Sequence, residues 1–290
     1  MARPLRVEYS NALYHIVARG NASQEIFLND KDRKMFLYWL KDVSQFHNII
    51  CHAYCLMDNH YHLLIETPEA NLSRAIRDLN GNYSQWFNTH HTRIGHLFQG
   101  RYKAYLIEKE TYLLEVARYI VLNPVRAGMV DKPKNYKWSS YNPTAGITKT
   151  PDWLQKDWLL SNFSKNKKIA QMEYRRFVKD GFTHQNPYKD VQNSFILGSP
   201  QFVHWIWEKT NGSEEQKEFP REERIVGRPS LEEIFYNIRT KKERNEAIIF
   251  ARLRCGYLTT EIGKHIGLDR AVVGRISRGT HNIKKSKKSP

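Results

Sequence analysis

The sequence has only three cysteines, Cys51, Cys55 and Cys255, among 290 residues. Thiols so few and so unevenly spaced cannot form the disulfide framework that is typical of small secreted domains. The chain also lacks any apolar run near the roughly 18 residues that a membrane-spanning helix requires. No apolar segment follows its charged start, so a secretory signal is not predicted. We therefore expect a cytoplasmic protein with no membrane partner.

Acidic residues are scarce relative to basic ones, because 46 Lys and Arg stand against 30 Asp and Glu, a formal charge of +16. Residues 221–290 alone hold 17 basic and 8 acidic residues, which is +9 of that excess. A surplus of this size indicates an anionic partner, usually nucleic acid. A generally basic, soluble protein is the alternative. The concentration of charge in one terminal segment favours a binding surface.

Two histidines, His60 and His62, stand at the start of the apolar segment 60–66. In a β-strand, residues i and i+2 project from the same face, so both imidazoles would point the same way. This geometry suits two ligands of one metal ion. A pair of half-buried strand histidines with satisfied hydrogen bonds has the same spacing, so the rest of the chain has to decide between the two interpretations.

Hydrophobic periodicity predicts the element order β-α-β-β-α-β. The predicted strands cover 11–20, 49–57, 60–66 and 102–108, and the helices run from Asn29 or Asp30 to Phe46 and from Asn71 or Ser73 to Phe87. This order is the split-βαβ, or ferredoxin-like, arrangement, an antiparallel sheet with helices on one face. We expect the opposite face to be open for a substrate.

A third helix is predicted from Thr111 to Leu122 or Asn123, because Pro124 pushes the residue before it out of the helical region. Its apolar stripe consists of Leu113, Leu114, Ala117, Ile120 and Val121. Tyr119 and Asn123 lie four residues apart on the opposite face and are therefore surface neighbours, about 6 Å apart. The helix thus presents a tyrosine with an amide beside it.

The domain organisation follows from what comes after this helix. Scattered aromatic residues over 131–181 favour short helices packed against the sheet, so we place the first domain at 1–185. A linker is predicted over 186–228, where periodicity is nearly absent. From 229 to 290 we predict a second domain, in which two short helices, 259–266 and 269–277, flank a turn at Gly267. The fold class is therefore α+β with a ferredoxin-like sheet, followed by a small all-α helix-turn-helix domain.

The second helix of this pair carries Arg270, Arg275 and Arg278, and a basic tail follows at 284–288. These charges favour DNA binding, although an ordinary helical pair has the same apolar pattern. Thr260, Arg270 and Arg275 are the predicted contacts of this domain to duplex or hairpin DNA.

The histidine pair, the presented tyrosine and the basic charge together suggest metal-assisted attack on a phosphodiester. Tyrosine forms covalent intermediates, but its ordinary pKa of about 10 means that it needs activation at neutral pH. A metal held by the histidines would polarise a phosphoryl oxygen and orient the phosphate. Asn123, one turn beyond Tyr119, could supply a third ligand from its side-chain carbonyl.

Several segments resemble a known family. His60-Tyr61-His62 is similar to the histidine-hydrophobe-histidine motif of the single-tyrosine (Y1) transposases of the IS200 type, within the HUH endonuclease superfamily. The segment 118–128, Arg-Tyr-Ile-Val-Leu-Asn-Pro-Val-Arg-Ala-Gly, resembles the tyrosine helix of their REP-associated branch. Residues 19–21 and 98–102 also resemble segments of that branch. The resemblance covers residues 7–141, and extends more loosely to 181.

The resemblance implies cleavage and strand transfer of single-stranded DNA at hairpin-forming repeats. By position, Tyr119 becomes the nucleophile, which leaves a 5′-phosphotyrosine and a free 3′-hydroxyl. His60, His62 and Asn123 become ligands of Mg²⁺ or Mn²⁺. The helix-turn-helix is an addition to the minimal transposase. The choice of metal, and a monomer or a homodimer, stay open.

Further contacts to DNA phosphates or bases are predicted for Arg19, Gln99, Arg101, Lys103 and Arg126, each of which is equally compatible with an ordinary surface role. Four other histidines, His15, His52, His90 and His91, are assigned to structural roles.

Two other hypotheses remain. The first is a DNA-binding regulator whose nuclease fold is inactive. The second is a zinc site built from Cys51, Cys55, His60 and His62, because the two cysteines are expected on the same face of their strand and thiolate and imidazole both suit zinc.

Overall fold

The computed structural model describes residues 7–182, 187–190, 195–209, 225–226, 229–255 and 257–285. Its strands are β1 (Glu8–Tyr9), β2 (Ala12–Arg19), β3 (Ile50–Leu56), β4 (His60–Thr67), β5 (Lys103–Ile107), β6 (Ile196–Leu197) and β7 (Ile225–Val226). Its α-helices are α1 (Asp30–His47), α2 (Leu72–His90), α3 (Lys109–Arg126), α4 (Tyr141–Thr144), α5 (Asp157–Ser161), α6 (Lys167–Asp180), α7 (Pro200–Lys209), α8 (Leu231–Ile234), α9 (Lys241–Ile249), α10 (Thr259–Ile266) and α11 (Arg270–Lys285). Among these residues, no helix is both long and apolar enough to cross a membrane.

The main sheet has five strands in the order β3-β4-β2-β5-β6. The first four are antiparallel to their neighbours, and β6 adds a short parallel edge beside β5. With α1 between β2 and β3, and α2 between β4 and β5, this is the ferredoxin-like arrangement that the periodicity predicted. The fold class of the first domain is confirmed.

One face of the sheet packs against α1 and α2. Alternate strand residues, such as Tyr14 on β2 and Tyr61 and Leu63 on β4, are almost completely buried there. Helix α1 begins where the sequence predicted, because Asn29 accepts hydrogen bonds from the backbone of the first turn and Asp32 reciprocates. This face forms the larger hydrophobic core.

The opposite face is not open, as we had expected, because α3 lies across it. Leu13 and Leu64 on the strands pack in one cluster with Val116 and Ile120 on the helix. Helix α6 extends this layer through Tyr174, which is buried in the same cluster. The expectation failed because α3 comes after the split-βαβ unit and has its own apolar stripe to bury.

A β-bulge between Cys51 and Ala53 corrects the predicted geometry of the two cysteines. The extra residue shifts the alternation of β3, so Cys51 lies in the core of the α1–α2 face and Cys55 in that of the α3 face. Burial raises the pKa of both thiols well above the usual range. Two thiols on opposite faces cannot share one ion, which removes the geometric basis of the zinc hypothesis.

Helix α3 continues through Pro124 to Arg126, so the predicted end at Leu122 or Asn123 was wrong. Proline cannot donate the backbone hydrogen bond that the carbonyl of Ile120 would normally receive. The side-chain amide of Asn123 donates to that carbonyl instead, at 3.3 Å, and to the carbonyl of Tyr119 at 3.0 Å. The asparagine therefore replaces the missing donor and allows one more turn.

Part of the predicted linker 186–228 belongs to the sheet domain. Residues 195–209 add β6 and α7, and Ile196, Leu197 and Ile206 are almost completely buried. The carboxylate of Glu108 accepts hydrogen bonds from the backbone and hydroxyl of Ser199, at 2.8 and 2.9 Å. The prediction failed because these short apolar segments have too few residues to show a period.

The helices α8 to α11 share a small core of their own. It contains Ile248, Ile262 and Val273, with Tyr257 at its edge. Between α10 and α11, Gly267 adopts φ 68°, a left-handed conformation that glycine tolerates best. The two helices and their glycine turn are present as predicted, and α11 extends beyond the predicted Ser277. Their assignment as a DNA-reading helix-turn-helix stays a prediction, and residues 286–290 of the basic tail lie outside the described residues.

Candidate active site

The strand register brings the predicted polar residues to one end of the α3 face. His60 on β4 lies directly opposite Arg19 on β2, and His62 lies opposite Val17. On the other side of β2, Lys103 of β5 also pairs with Val17. Directly paired residues point to the same face, so Arg19, His60, His62 and Lys103 share one surface. We call this surface, together with His15 and Tyr105 in the adjoining row, the polar end of the sheet.

The hairpin before His60 is fixed by the loop that follows β2. The backbone N–H of Gly20 donates to the carbonyl of Asn59 at 2.8 Å, and the N–H of Ile26 donates to that of Asp58 at 2.9 Å. A Cβ atom on Gly20 would lie 2.0 Å from the carbonyl oxygen of Gln24, so only glycine fits there. This close approach explains the glycine of the segment 19–21.

The two motif histidines have their Nδ1 atoms occupied. The Nδ1 atom of His60 lies 2.6 Å from the side-chain oxygen of Asn59, and that of His62 lies 2.9 Å from Nε2 of His15. The rings of His60 and His62 are 4.9 Å apart between centroids. In both histidines Nε2 is therefore the nitrogen left for a further partner.

Burial keeps both motif histidines neutral. It lowers the pKa of His60, and the positive charge of Arg19 acts in the same direction. It lowers the pKa of His62 far more, with smaller contributions from His15 and His60. A metal-binding imidazole must be unprotonated at the ligating nitrogen, so this environment favours the state that a metal requires.

Tyr119 lies beside the histidine pair of its own chain. Its ring centroid is 6.3 Å from that of His62 and 6.1 Å from that of His15. The guanidinium of Arg126 lies over the same ring, 4.8 Å from its centroid. Burial raises the pKa of the Tyr119 hydroxyl, and the charge of Arg126 partly offsets that rise. The tyrosine is thus next to the candidate metal site but is not activated by the protein alone.

The residues present fit a metal ion that has two imidazole ligands. The Nε2 atom of His62 is buried and has no hydrogen-bond partner in the described part of the chain. The Nδ2 atom of Asn123 is used within α3, which leaves its Oδ1 atom as the acceptor. No cluster of three His, Cys, Asp or Glu side chains suited to a metal occurs among the described residues. A third protein ligand would therefore have to be an amide or backbone oxygen.

Two residues at this site were not predicted. His15, which the sequence analysis had assigned to a structural role, bridges His62 and the hydroxyl of Tyr188. Tyr188 lies in a single 3₁₀ turn, Pro187–Asp190, and its ring is 5.2 Å from that of Tyr119. His15 could have been found, because it shares strand parity with Arg19. Nothing in the sequence around Tyr188 indicates its position.

The other predicted DNA contacts fall into two groups. Arg19, Gln99, Arg101 and Lys103 are exposed, and the backbone N–H of Gln99 donates to the carbonyl of Arg19 at 2.8 Å. Arg19 and Lys103 belong to the polar end, Gln99 adjoins it through this hydrogen bond, and Arg126 lies over the ring of Tyr119. Thr260, Arg270 and Arg275 are exposed on α10 and α11, which belong to the separate C-terminal core.

A ferredoxin-like sheet with a histidine pair on a central strand, followed by a helix that presents a tyrosine, defines the single-tyrosine (Y1) transposase fold. Residues 8–123 match the family model described as transposase IS200 like. This segment, which contains β1 to β5 and most of α3, therefore belongs to the IS200-like transposase family. The family resemblance of the sequence motifs is confirmed.

Solved structures of two proteins are similar to this chain. A REP-associated tyrosine transposase bound to a REP hairpin is 17% identical, with a TM-score of 0.45, and the match covers 54% of this chain and 93% of that one. A candidate transposase from Deinococcus radiodurans R1 is 18% identical, with a TM-score of 0.30, over 41% of this chain and 95% of that one. No curated protein sequence matches the chain significantly.

Proposed function

We propose that this transposase is a metal-dependent endonuclease and strand transferase of single-stranded DNA, which acts at hairpin-forming repeats through a 5′-phosphotyrosine. The observation that carries the proposal is the position of Tyr119, whose ring lies beside His62. The buried Nε2 atom of that histidine has no partner among the described residues. The candidate nucleophile therefore lies beside a histidine whose Nε2 atom is available to bind a metal.

The cleavage step uses groups of this chain. The Tyr119 oxygen attacks the phosphorus and forms the O–P bond, while the bond from phosphorus to the 3′ oxygen breaks. The 3′ oxygen leaves with the electron pair and takes up a proton, and the tyrosine loses its proton to solvent. In strand transfer, the oxygen of a 3′-hydroxyl bonds to the phosphorus and loses its proton to solvent, while the bond from phosphorus to the Tyr119 oxygen breaks and that oxygen takes up a proton. Arg126, over the tyrosine ring, favours the ionised form of the phenol.

A divalent cation fits this site. His60 and His62 would hold Mg²⁺ or Mn²⁺ through their Nε2 atoms, with the side-chain oxygen of Asn123 as a third ligand. When bound, the ion polarises a phosphoryl oxygen and orients the phosphate for in-line displacement. Two imidazoles and one amide suit Mn²⁺ somewhat better than Mg²⁺.

The substrate is proposed from charge and from the motif at 118–128. Arg19 and Lys103 are exposed at the polar end, and Arg101, two residues before Lys103, is exposed as well, so that these cations can contact phosphates. Gln99 adds a side chain that can hydrogen-bond to base edges. The C-terminal domain, with Arg270 and Arg275, would bind duplex or hairpin DNA next to the cleaved strand.

A second candidate function is a DNA-binding regulator that does not cleave. The C-terminal +9 charge favours it, and burial raises the pKa of Tyr119, which opposes nucleophilic attack in the free protein. Tight binding of duplex DNA without cleavage under any metal condition would support this function instead.

The test is a denaturing-gel assay with labelled hairpin oligonucleotides from repeats near the gene, in Mg²⁺ or Mn²⁺. We expect a covalent protein–DNA band with the wild type, and none with Tyr119→Phe, because only the hydroxyl is removed. Tyr112→Phe, on the same helix but outside the site, is the matched control and should retain the band. Excess EDTA should abolish it.

Two results would contradict the proposal. A band that persists in Tyr119→Phe would assign the nucleophile elsewhere. Equal adduct formation on unstructured single strands of the same composition would remove the hairpin from the substrate.

A further inference from the structure

Three side chains form a hydrogen-bonded row that ends at the candidate metal site. Nδ1 of His62 lies 2.9 Å from Nε2 of His15, and the two rings are nearly parallel, at 13°. On its other side, Nδ1 of His15 meets the hydroxyl of Tyr188. His15 is only 1% exposed and His62 6% exposed, so water does not compete for these contacts. The row connects β4 to a turn that follows all of α3 and α6.

The protons in this row can be arranged in two ways. A hydrogen bond between two ring nitrogens needs one proton, carried by one nitrogen or by the other. In the first arrangement, Tyr188 donates to His15 and His15 donates to His62. In the second, Nδ1–H of His62 donates to His15, and Nδ1–H of His15 donates to Tyr188. All three side chains keep their contacts in both arrangements, because a phenol both donates and accepts.

The two arrangements differ at Nε2 of His62. In the first, this atom carries a proton that has no acceptor among the described residues. In the second, it carries a free lone pair, on a ring that lies beside that of Tyr119. Only the second arrangement makes His62 a metal ligand.

We propose that His15 and Tyr188 are positioning residues, which hold the His62 ring and its tautomer so that the Nε2 lone pair points at the metal. The proposal rests on the proposed function only in taking His62 as a metal ligand. It makes the 187–190 turn, which lies outside the family match at 8–123, part of the metal site.

The first experiment measures Mn²⁺ binding to the full chain without DNA, by electron paramagnetic resonance of the free ion. We expect His15→Phe to weaken Mn²⁺ binding by about 10- to 100-fold, because phenylalanine has no ring nitrogen to hold Nδ1 of His62. The substitution keeps an aromatic ring at this position. Tyr188→Phe should weaken binding less, since it removes only the hydroxyl that contacts His15 and leaves both imidazoles in place. The matched control is His52→Phe, at a histidine that is 2% exposed and pairs with Glu66 instead of with the site. It should bind Mn²⁺ like the wild type.

The second experiment reads the tautomer directly, by long-range ¹H–¹⁵N NMR of histidine-labelled protein with Mg²⁺. We expect the Nδ1–H form of His62 in the wild type, and loss of that preference in His15→Phe. If His15→Phe does not fold, as judged by circular dichroism, Tyr188→Phe and the wild-type spectrum still decide. The Nε2–H form in Mg²⁺-loaded wild type would overturn the proposal, and so would Mn²⁺ affinity in His15→Phe within about twofold of the wild type.

Failure of this proposal is distinct from failure of the proposed function. If Mn²⁺ affinity depends on His15 but no covalent DNA adduct forms, only the proposed nuclease function is contradicted. If an adduct forms through Tyr119 but Mn²⁺ affinity does not depend on His15, only the positioning role of His15 and Tyr188 is contradicted.

Discussion

The two faces of the sheet are built from the same strands and do different work. On the α1–α2 face, side chains such as Tyr61 and Leu63 are completely buried and pack against helices. On the α3 face, the same strand presents His60 and His62, and α3 covers apolar residues only further along. Because strand residues alternate, the residues that stabilise the core and those of the proposed site are separated by a single position in the sequence. Adjacent substitutions in β4 should therefore have opposite consequences.

The largest expected effect is on chemistry, from His60→Ala. This side chain is only half-buried and its ring lies beside that of His62 at the polar end, so the free energy of unfolding in urea should change little. Adduct formation should fall at least about 100-fold, because a ligand nitrogen is lost. His204→Ala, at an exposed histidine on α7, is the control and should change neither quantity. A large loss of stability in His60→Ala would break the comparison, since the polar end would then also support the fold.

The neighbouring substitution Tyr61→Ala should lower the free energy of unfolding and leave adduct formation unchanged. The Tyr61 ring packs 4.7 Å from that of Phe36, and its hydroxyl donates to Asn80 at 2.7 Å. Removing a buried aromatic side chain costs about 3–5 kcal/mol, measured as the free energy of unfolding in urea. Tyr61→Phe removes the hydroxyl alone and should cost about 1 kcal/mol. Adduct formation per folded molecule should stay near the wild-type level, and a selective loss of activity would show that the faces are coupled.

The smallest effect concerns pH, through the buried histidine His15 at the polar end. Burial lowers the pKa of His15 to about 3, against about 6.5 in an unfolded chain. Between these values the unfolded chain holds a proton that the folded chain does not, so stability is lost as pH falls. Metal-free wild type should therefore lose about 1 kcal/mol more of its free energy of unfolding than His15→Phe between pH 5.5 and pH 4.5. Urea unfolding at both pH values measures this difference. An equal loss of unfolding free energy in the two proteins would contradict the prediction.

Much of the sheet domain could be predicted because its signals are local. His60 and His62 are two residues apart in a strand, so the sequence predicts that they share a face. Tyr119 and Asn123 are four residues apart in a helix, so the sequence predicts that they are neighbours. The bulge at Cys51 could not be foreseen, because one extra residue in a strand leaves no mark on an apolar run. The extension of α3 through Pro124 depends on one side-chain amide that replaces a backbone donor. Both features depend on a local change in hydrogen bonding, which the hydrophobic periodicity of the sequence does not reveal.

Tyr188 was missed for another reason. It reaches the site by tertiary packing across a separation of 173 residues from His15. The surrounding segment has neither apolar period nor motif, so only the folded chain reveals the contact. The domain boundary that we drew at 185 separated this residue from the site to which it belongs.

That separation has a consequence for how the protein is made. A chain leaves the ribosome from its N-terminus, so His15, the histidine pair and Tyr119 all emerge before the turn at 187–190. The four antiparallel strands can pair while the row beside His62 still lacks the Tyr188 hydroxyl, and β6 emerges only after it. A chain that ends before this turn lacks β6 and α7 together with the Tyr188 hydroxyl that contacts His15. The order of synthesis therefore completes the row beside His62 only after the four antiparallel strands and α3 have emerged.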